Sequence, residues 1–252
     1  MNYSSIPSRT SNGFSLIELL VGLVIGLFLL LGLSTYFVQN KQTFAYQKSQ
    51  VNQQEHERII ANLMGRSLRQ AGYAPVTTNR LTGQEVVFPA VGAYGAGQFI
   101  AGTQATHDVT VNGQALAVTF PDDTLSVRYI GDPSLARCDG TVPATGALVA
   151  DTVSVDGVQF ICDTDGVTQT ALFGGVNVPL TQQMRVLGLA VTYGLDTDDD
   201  TNVDSIVRAG GVTDWTQVRI AELEIHFQSG NRQPQATSLV IALENSIGVD
   251  QL

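Results

Sequence analysis

Residues 13–38 have the sequence GFSLIELLVGLVIGLFLLLGLSTYFV. Within it, the twenty residues from Leu19 to Val38 are apolar except at Ser34, Thr35 and the hydroxyl of Tyr36. As an α-helix, twenty residues span about 30 Å, the thickness of the hydrocarbon core of a bilayer. A secretory signal peptide has a shorter apolar region, about 7–15 residues, and ends in a small-residue cleavage site. The stretch therefore predicts a membrane-spanning helix, with a plain single-pass anchor as an alternative.

A second motif lies in front of the apolar run. Gly13 and Phe14 join a short polar leader directly to the run, and Glu18 follows Phe14 by four residues. This combination resembles the class III signal of type IV prepilins and pseudopilins. The resemblance implies that a prepilin peptidase cuts between Gly13 and Phe14 on the cytoplasmic face and that Phe14 is then N-methylated. The leader has Arg9 as its only basic residue, so the orientation in the membrane rests on the resemblance.

Glu18 is a candidate assembly residue, because a carboxylate in an apolar helix is costly and usually has a partner. Phe14 and Glu18 are one helical turn apart on one face. After cleavage Phe14 would carry a free amine, which Glu18 of the same subunit could neutralise. The family resemblance implies instead the amine of a neighbouring subunit, which would bring a new subunit into register in a filament. The alternative is a carboxylate at the membrane interface, stabilised by the positive end of the helix dipole.

The helix-forming pattern continues beyond the apolar run. From Ile59 to Ala71 apolar residues recur at spacings of three and four, which is typical of a helix with one buried face. Gly72 and Pro75 then provide a helix stop, so one helix is predicted from about Phe14 to Ala71. The predicted segments are a leader (1–13), a transmembrane helix (14–38), an amphipathic stem (39–72) and a β-rich extracytoplasmic head (73–252).

The head contains short runs rich in β-branched and aromatic residues, which predict strands. These runs are Leu116–Phe120, Leu125–Ile130, Thr152–Val155, Val158–Cys162, Val186–Tyr193, Val218–Phe227 and Ser238–Leu243. Asp156-Gly157 favours a two-residue hairpin, and the alternation from Ala221 to Phe227 predicts a strand with one face buried against the helix. The expected fold is α+β, with a long N-terminal transmembrane helix packed on an antiparallel β-sheet head, as in pilins.

Both cysteines, Cys138 and Cys162, lie in the head, and no CxxC occurs. This spacing argues against thioredoxin-type chemistry and against a four-ligand zinc site. If the head is exported, one disulfide is the simplest prediction, and two buried free thiols are the alternative.

The charge is unevenly distributed along the chain. The formal net charge is −10, and the part from Gly72 to the C-terminus has 7 Arg, no Lys and 20 Asp or Glu. An acidic head thus follows a basic N-terminal part. Phosphate contacts need clustered Lys or Arg, so direct binding of nucleic acid is not expected.

Residues 196–204, with the sequence DTDDDTNVD, place an oxygen-bearing side chain at every second position. These side chains are Asp196, Asp198, Asp200, Asn202 and Asp204. The spacing resembles the start of a calcium loop, although Thr201 replaces the turn glycine and the twelfth position is Val207 rather than Glu. The loop is therefore a candidate calcium site, with a solvated acidic turn as the alternative. No cofactor is otherwise required.

No catalytic motif is evident. None of the three histidines lies in HExxH, and neither GxSxG nor GxxxxGK[ST] occurs. The chain is not expected to be an enzyme.

Within the pilin superfamily the chain resembles the PilW-type minor pilins. The residues that carry this likeness are Arg69–Tyr73, Cys138-Asp139-Gly140, Cys162, the Asp-rich turn after Tyr193-Gly194 and the final strand Val240–Asn245. The resemblance implies a minor pilin that works with other minor and major pilins, the prepilin peptidase and the inner-membrane assembly platform. It would help to prime pilus assembly and so support attachment, twitching motility or DNA uptake. Its head would lie in the periplasm and later on the pilus or cell surface.

Three alternatives remain open. A type II secretion pseudopilin has the same N-terminal machinery and fold plan. The head could instead be a tip adhesin, which an exposed aromatic pocket would favour. The third alternative is a membrane-anchored exported protein without a filament role, and an uncleaved Gly13-Phe14 bond would support it.

Overall fold

The computed structural model describes residues 15–75, 88–111, 114–166, 168–174, 184–229 and 233–243. The chain divides into two compact units, Met1–Asn52 and Gln53–Leu252. One helix, α1 (Leu16–Gln70), contributes residues to both units. The single long helix predicted from the sequence is thus confirmed over the described residues, and Phe14 lies outside them.

The part of α1 in the first unit exposes apolar side chains on all sides. Along its membrane-length stretch, the exposed fraction of the large apolar residues runs from 48% at Val24 to 79% at Leu16. A helix that is apolar all round is typical of one that lies in lipid or among other helices. The first unit therefore leaves this surface uncovered.

The last turns of α1, which belong to the second unit, bury one face. Ile60, Met64, Leu68 and Ala71 are buried and belong to the same core cluster as residues of the strands. The helix ends at Gln70, and Gly72 follows with φ +74°, a left-handed conformation that glycine adopts without a steric penalty. The amphipathic pattern and the predicted helix stop are both confirmed.

Eleven strands follow within the described residues. They are β1 (Ile100–Thr103), β2 (Thr106–Val111), β3 (Gln114–Pro121), β4 (Thr124–Ile130), β5 (Leu148–Asp156), β6 (Gln159–Thr164), β7 (Thr168–Gly174), β8 (Met184–Leu195), β9 (Ser205–Arg208), β10 (Val218–Ser229) and β11 (Gln235–Ala242). Two short 3-10 helices, Ala209–Gly211 and Trp215–Gln217, connect β9 to β10.

The strands form two main sheets and a hairpin. The five-stranded sheet has the order β1-β4-β5-β6-β7, the four-stranded sheet has the order β11-β10-β8-β9, and β2 pairs with β3. Neighbouring strands are antiparallel throughout these sheets. One core cluster contains residues of both sheets and of α1, so the α+β architecture is confirmed.

The seven predicted runs all fall on strands, but β1, β2, β7 and β9 were not predicted. Two of these four strands, β1 and β9, are four residues long, too short for a clear alternation. The predicted hairpin exists, but its turn is shifted by one residue. Asp156 pairs with Gln159, so Gly157 and Val158 occupy the turn, and Gly157 has the positive φ of +61°.

The alternation predicted in β10 is confirmed. Its apolar side chains Ala221, Leu223, Ile225 and Phe227 are buried in the same cluster as the α1 residues. Glu222, Glu224 and His226, which alternate with them, are partly exposed.

A buried aspartate connects the two main sheets. Asp123 immediately precedes β4, and its carboxylate accepts hydrogen bonds from the amides of Ala105 (3.1 Å) and Val191 (2.8 Å). It also accepts one from Nη2 of Arg208 at 2.6 Å. Since Val191 is in β8 and Arg208 in β9, one paired carboxylate holds the start of β4 against the four-stranded sheet.

The helix face can be tested with two adjacent isoleucines. Ile60 is 2% exposed and Ile59 is 43% exposed. We expect Ile60→Ala to lower the free energy of unfolding by about 2–5 kcal/mol, because it removes buried methylenes and leaves a cavity. Ile59→Ala is the matched control, and its cost should be clearly smaller. Denaturant unfolding measures both, and equal losses would contradict the assigned buried face.

Candidate functional sites

The start of α1 positions Glu18. The amides of Glu18 and Leu19 donate to the backbone carbonyl of Ser15 at 3.0 and 3.2 Å, so the helix begins directly after Ser15 and Glu18 lies in its first turn. The Glu18 side chain is exposed, and a carboxylate in the first turn complements the positive helix end. Gly13 and Phe14, the predicted processing residues, lie outside the described residues. Their cleavage and methylation therefore remain predictions.

Leu16–Lys48 of α1 is long and apolar enough to cross a membrane, and it is the one such helix in the described part of the chain. No residue is buried in the most apolar 18-residue stretch of this segment. The hydroxyl of Thr35 is compatible with an apolar surrounding, because its Oγ1 donates to the carbonyl of Leu31 at 2.9 Å. Open space surrounds Gly22 and Gly26, which present no side chain to an approaching helix.

The two cysteines form a disulfide, as the sequence predicted. Cys138 and Cys162 are bonded, with their Cα atoms 5.9 Å apart. The bond closes a loop with a sequence separation of 24, which corresponds to about 3–4 kcal/mol of stabilisation in the chain-entropy description. It connects the segment before β5 to the interior strand β6.

An ion network surrounds this disulfide. The buried carboxylate of Asp151 accepts hydrogen bonds from Nε of Arg137 (2.9 Å), the hydroxyl of Tyr129 (2.8 Å) and the amide of Cys138 (3.1 Å). Nη1 of Arg137 also donates to Asp165 at 2.6 Å. The guanidinium of Arg137 therefore connects β5 to the turn that follows β6. Both contacts hold Arg137 in place directly before the bonded Cys138.

Tyr129 and Asp165 are among the groups of this network whose pKa values are shifted. Burial raises the pKa of Tyr129, and the negative charge of Asp151 raises it further. Burial also acts to raise the pKa of Asp165, but hydrogen bonds from Arg137 and from the amide of Ala150 outweigh it and hold that pKa below its usual value. Asp165 is thus stabilised in its charged form in the folded protein.

Residues 196–204, which we call the aspartate loop, connect β8 to β9. Leu195 pairs with Ser205, so the loop is the closed end of an antiparallel pair. One carboxylate oxygen each from Asp196, Asp198 and Asp204 lie within 4.8 Å of one another. The amide and hydroxyl of Thr197 each donate to Asp204 at 2.7 Å, and these bonds lower the pKa of Asp204.

The five predicted ligands are therefore not all equivalent. Asp196, Asp198 and Asp204 converge, whereas the side chain of Asp200 accepts hydrogen bonds from the amide (2.8 Å) and from Nδ2 (2.9 Å) of Asn202. Calcium binding itself remains a prediction.

Sequence reasoning did not identify the cation beside the aspartate loop. Nε of Arg219 donates to Oδ2 of Asp196 at 3.0 Å, and its Nη2 donates to Asp199 at 3.1 Å. Arg219 follows Val218, which pairs with Leu195 across β8 and β10. Arg219 lies 23 and 20 positions from Asp196 and Asp199, and no periodicity in the sequence connects them, so only strand pairing reveals this contact.

Comparisons with known proteins agree with the N-terminal analysis. Residues 8–34 match the family model described as the prokaryotic N-terminal methylation motif. No curated protein matches the sequence significantly. Among solved structures, a type IV-like pilin from Thermus thermophilus is similar, with a TM-score of 0.39 and 11% identity over 76% of this chain and 96% of that chain.

A methylation motif at the start of an exposed apolar helix is an arrangement similar to that of type IV pilin-like proteins. Such proteins are structural and not enzymes. Their class implies interactions with other pilins and with the machinery that processes prepilins. The apolar helix and the motif are consistent with anchoring in a membrane.

The Arg137–Asp165 pair predicts a pH-dependent stability. A carboxyl with a lowered folded-state pKa stabilises the fold above its unfolded value of about 3.9, and this contribution is lost as the pH falls through the folded pKa. Because Asp165 is half exposed, we expect Asp165→Asn to lower the free energy of unfolding at pH 7 by no more than about 1 kcal/mol. The difference from the wild type should shrink below about pH 4.

Urea unfolding between pH 3 and pH 7 measures this difference. Asp156→Asn is the matched control, since Asp156 is exposed and makes no ion pair among the described residues. A pH-independent difference for Asp165→Asn would contradict the assigned role of its charge.

Proposed function

We propose that this protein is a minor subunit of a type IV pilus, incorporated through α1, which helps to prime pilus assembly. The observation that carries the proposal is the uncovered apolar surface of residues 16–38, most of which lies within the methylation motif at residues 8–34. A surface of this kind needs lipid or other helices around it, because exposed apolar patches of this size mark interaction sites. A pilus subunit meets both environments in turn.

Each predicted segment has a role in the proposed processing and assembly of the subunit. The leader (1–13) is removed, the helix 14–38 lies in the inner membrane, the stem (39–72) follows it, and the head (73–252) lies in the periplasm. On assembly the helix exchanges lipid for neighbouring helices and the head reaches the pilus or cell surface. Both surroundings are similarly apolar, so helix packing must supply the association, and Gly22 and Gly26 allow close approach.

Glu18 supplies the selective contact in this proposal. Its carboxylate lies among apolar residues, and the sequence has no other acidic residue before Glu55. A charge in such surroundings gains most from a cationic partner. The N-terminal amine of Phe14 in the adjacent subunit is that partner, which sets the axial register of the incoming subunit.

The assignment to the minor, priming class is supported by the PilW-type residues of the sequence. These include the two bonded cysteines and the Asp-rich turn that follows Tyr193-Gly194. A type II secretion pseudopilin would use the same N-terminal contacts. Affinity purification from native membranes distinguishes the two: minor and major pilins should accompany this chain, and recovery of secretion-system components instead would move it to the other class.

Processing tests the proposal directly. We expect intact-mass analysis of the protein from native membranes, with the assembly machinery present, to find a chain that begins at N-methylated Phe14. The motif at residues 8–34 is the physical basis of this expectation. A chain that retains Met1 under these conditions would reduce the protein to an anchored head without a filament role.

Glu18→Ala tests the assembly contact. We expect this variant to be cleaved normally, because the scissile bond is unchanged, but to be strongly depleted from sheared filaments relative to membranes. Quantitative immunoblotting of both fractions measures the ratio. Glu57→Ala is the control, since it also removes a helix carboxylate but lies beyond the apolar stretch. Incorporation of Glu18→Ala at the level of Glu57→Ala would exclude the contact.

A further inference from the structure

The aspartate loop concentrates more negative charge than its neighbours compensate. Its five aspartates lie within nine residues, and Arg219 pairs with two of them, Asp196 and Asp199. The other ion pairs among the described residues involve different carboxylates. Like charges this close repel one another, so the loop as folded favours an additional cation.

The burial of Asp196 also favours a cation at this loop, independently of the loop's net charge. Its side chain is fully buried, and its Oδ2 accepts hydrogen bonds from Nε of Arg219 (3.0 Å) and from the amide of Thr201 (3.1 Å). Its Oδ1 is also buried and has no hydrogen-bond partner in the part of the chain that the structure describes. A buried charged oxygen without a partner is costly. The side chain belongs to the cluster whose carboxylate oxygens lie within 4.8 Å of one another.

The donor chemistry selects the class of ion. Carboxylate oxygens are hard ligands, which suit calcium or magnesium better than metals that prefer nitrogen or sulfur. Two of the three converging carboxylates, those of Asp198 and Asp204, are exposed, so water can complete the coordination. Calcium accepts such irregular, partly hydrated sites, whereas magnesium demands near-octahedral geometry at short distances.

We propose that the aspartate loop binds one calcium ion through the carboxylates of Asp196, Asp198 and Asp204. Asp200 and Asn202, which the sequence pattern also favours, bond to each other and are not ligands in this proposal. Bound calcium would complement Arg219, which neutralises the opposite oxygen of Asp196. Because the loop joins β8 to the edge strand β9, the ion would stabilise that edge of the four-stranded sheet.

Calorimetric titration of the full-length protein in detergent micelles with calcium chloride tests the site. We expect saturable binding of one ion with a Kd of about 10⁻⁴–10⁻³ M, the range of extracellular calcium modules. Asp198→Asn should weaken it at least about tenfold, as loss of a charged ligand does in sites tuned by ligand charge. Asp200→Asn, the matched control in the same loop, should change the Kd less than about threefold, as expected for a non-ligand.

Three outcomes would overturn the proposal. One is the absence of binding by the wild type up to about 10 mM calcium, tenfold above the weakest modules of this kind. Another is an equal loss in Asp198→Asn and Asp200→Asn, which indicates diffuse attraction by the loop charge. The last is an equal affinity for magnesium, which the proposed geometry does not favour. A calcium-dependent rise in Tm that Asp198→Asn abolishes and Asp200→Asn retains would support the site independently of the heats.

Discussion

The apolar surface of α1 is the constraint on which the rest of the structure depends. Over residues 16–38 this surface surrounds the helix, and nothing in its own unit covers it. From Ile60 onward it narrows to one face, which joins the core of the strands. The first part of the helix therefore needs partners from outside the chain, whereas its last turns form part of a core within the chain.

Buried charges give the second unit its internal connections. Asp123 joins β4 to the four-stranded sheet, and Asp151 with Arg137 fixes the residues beside the disulfide. Removing one member of such a buried pair is costly because the other charge stays behind in a poorly solvated place. Arg137, Arg208 and Arg219 bond to carboxylates of their own unit, so these cations serve the internal structure of an otherwise acidic unit.

In the aspartate loop, the fold decides which of the regularly spaced side chains lie close together. The spacing of its oxygen-bearing side chains is periodic in the sequence, but the backbone curls, with positive φ at Asp199 and Thr201. As a result, Asp196 and Asp204 at the two ends meet Asp198, while Asp200 turns to Asn202. A regular repeat in the chain therefore becomes a cluster with one buried and two exposed members.

The sequence by itself determined the long helix, its all-round and one-sided apolar parts, the seven main strands and the methylation motif. Each of these depends on composition or on short spacings, which local physics decides. Only the tertiary structure decided the two-sheet order, the short strands β1 and β9, and the partners of Asp123, Asp151 and Asp196. These depend on contacts between residues far apart in the chain. Strand pairing places Arg219 beside the aspartate loop, and no periodicity in the sequence predicts this contact.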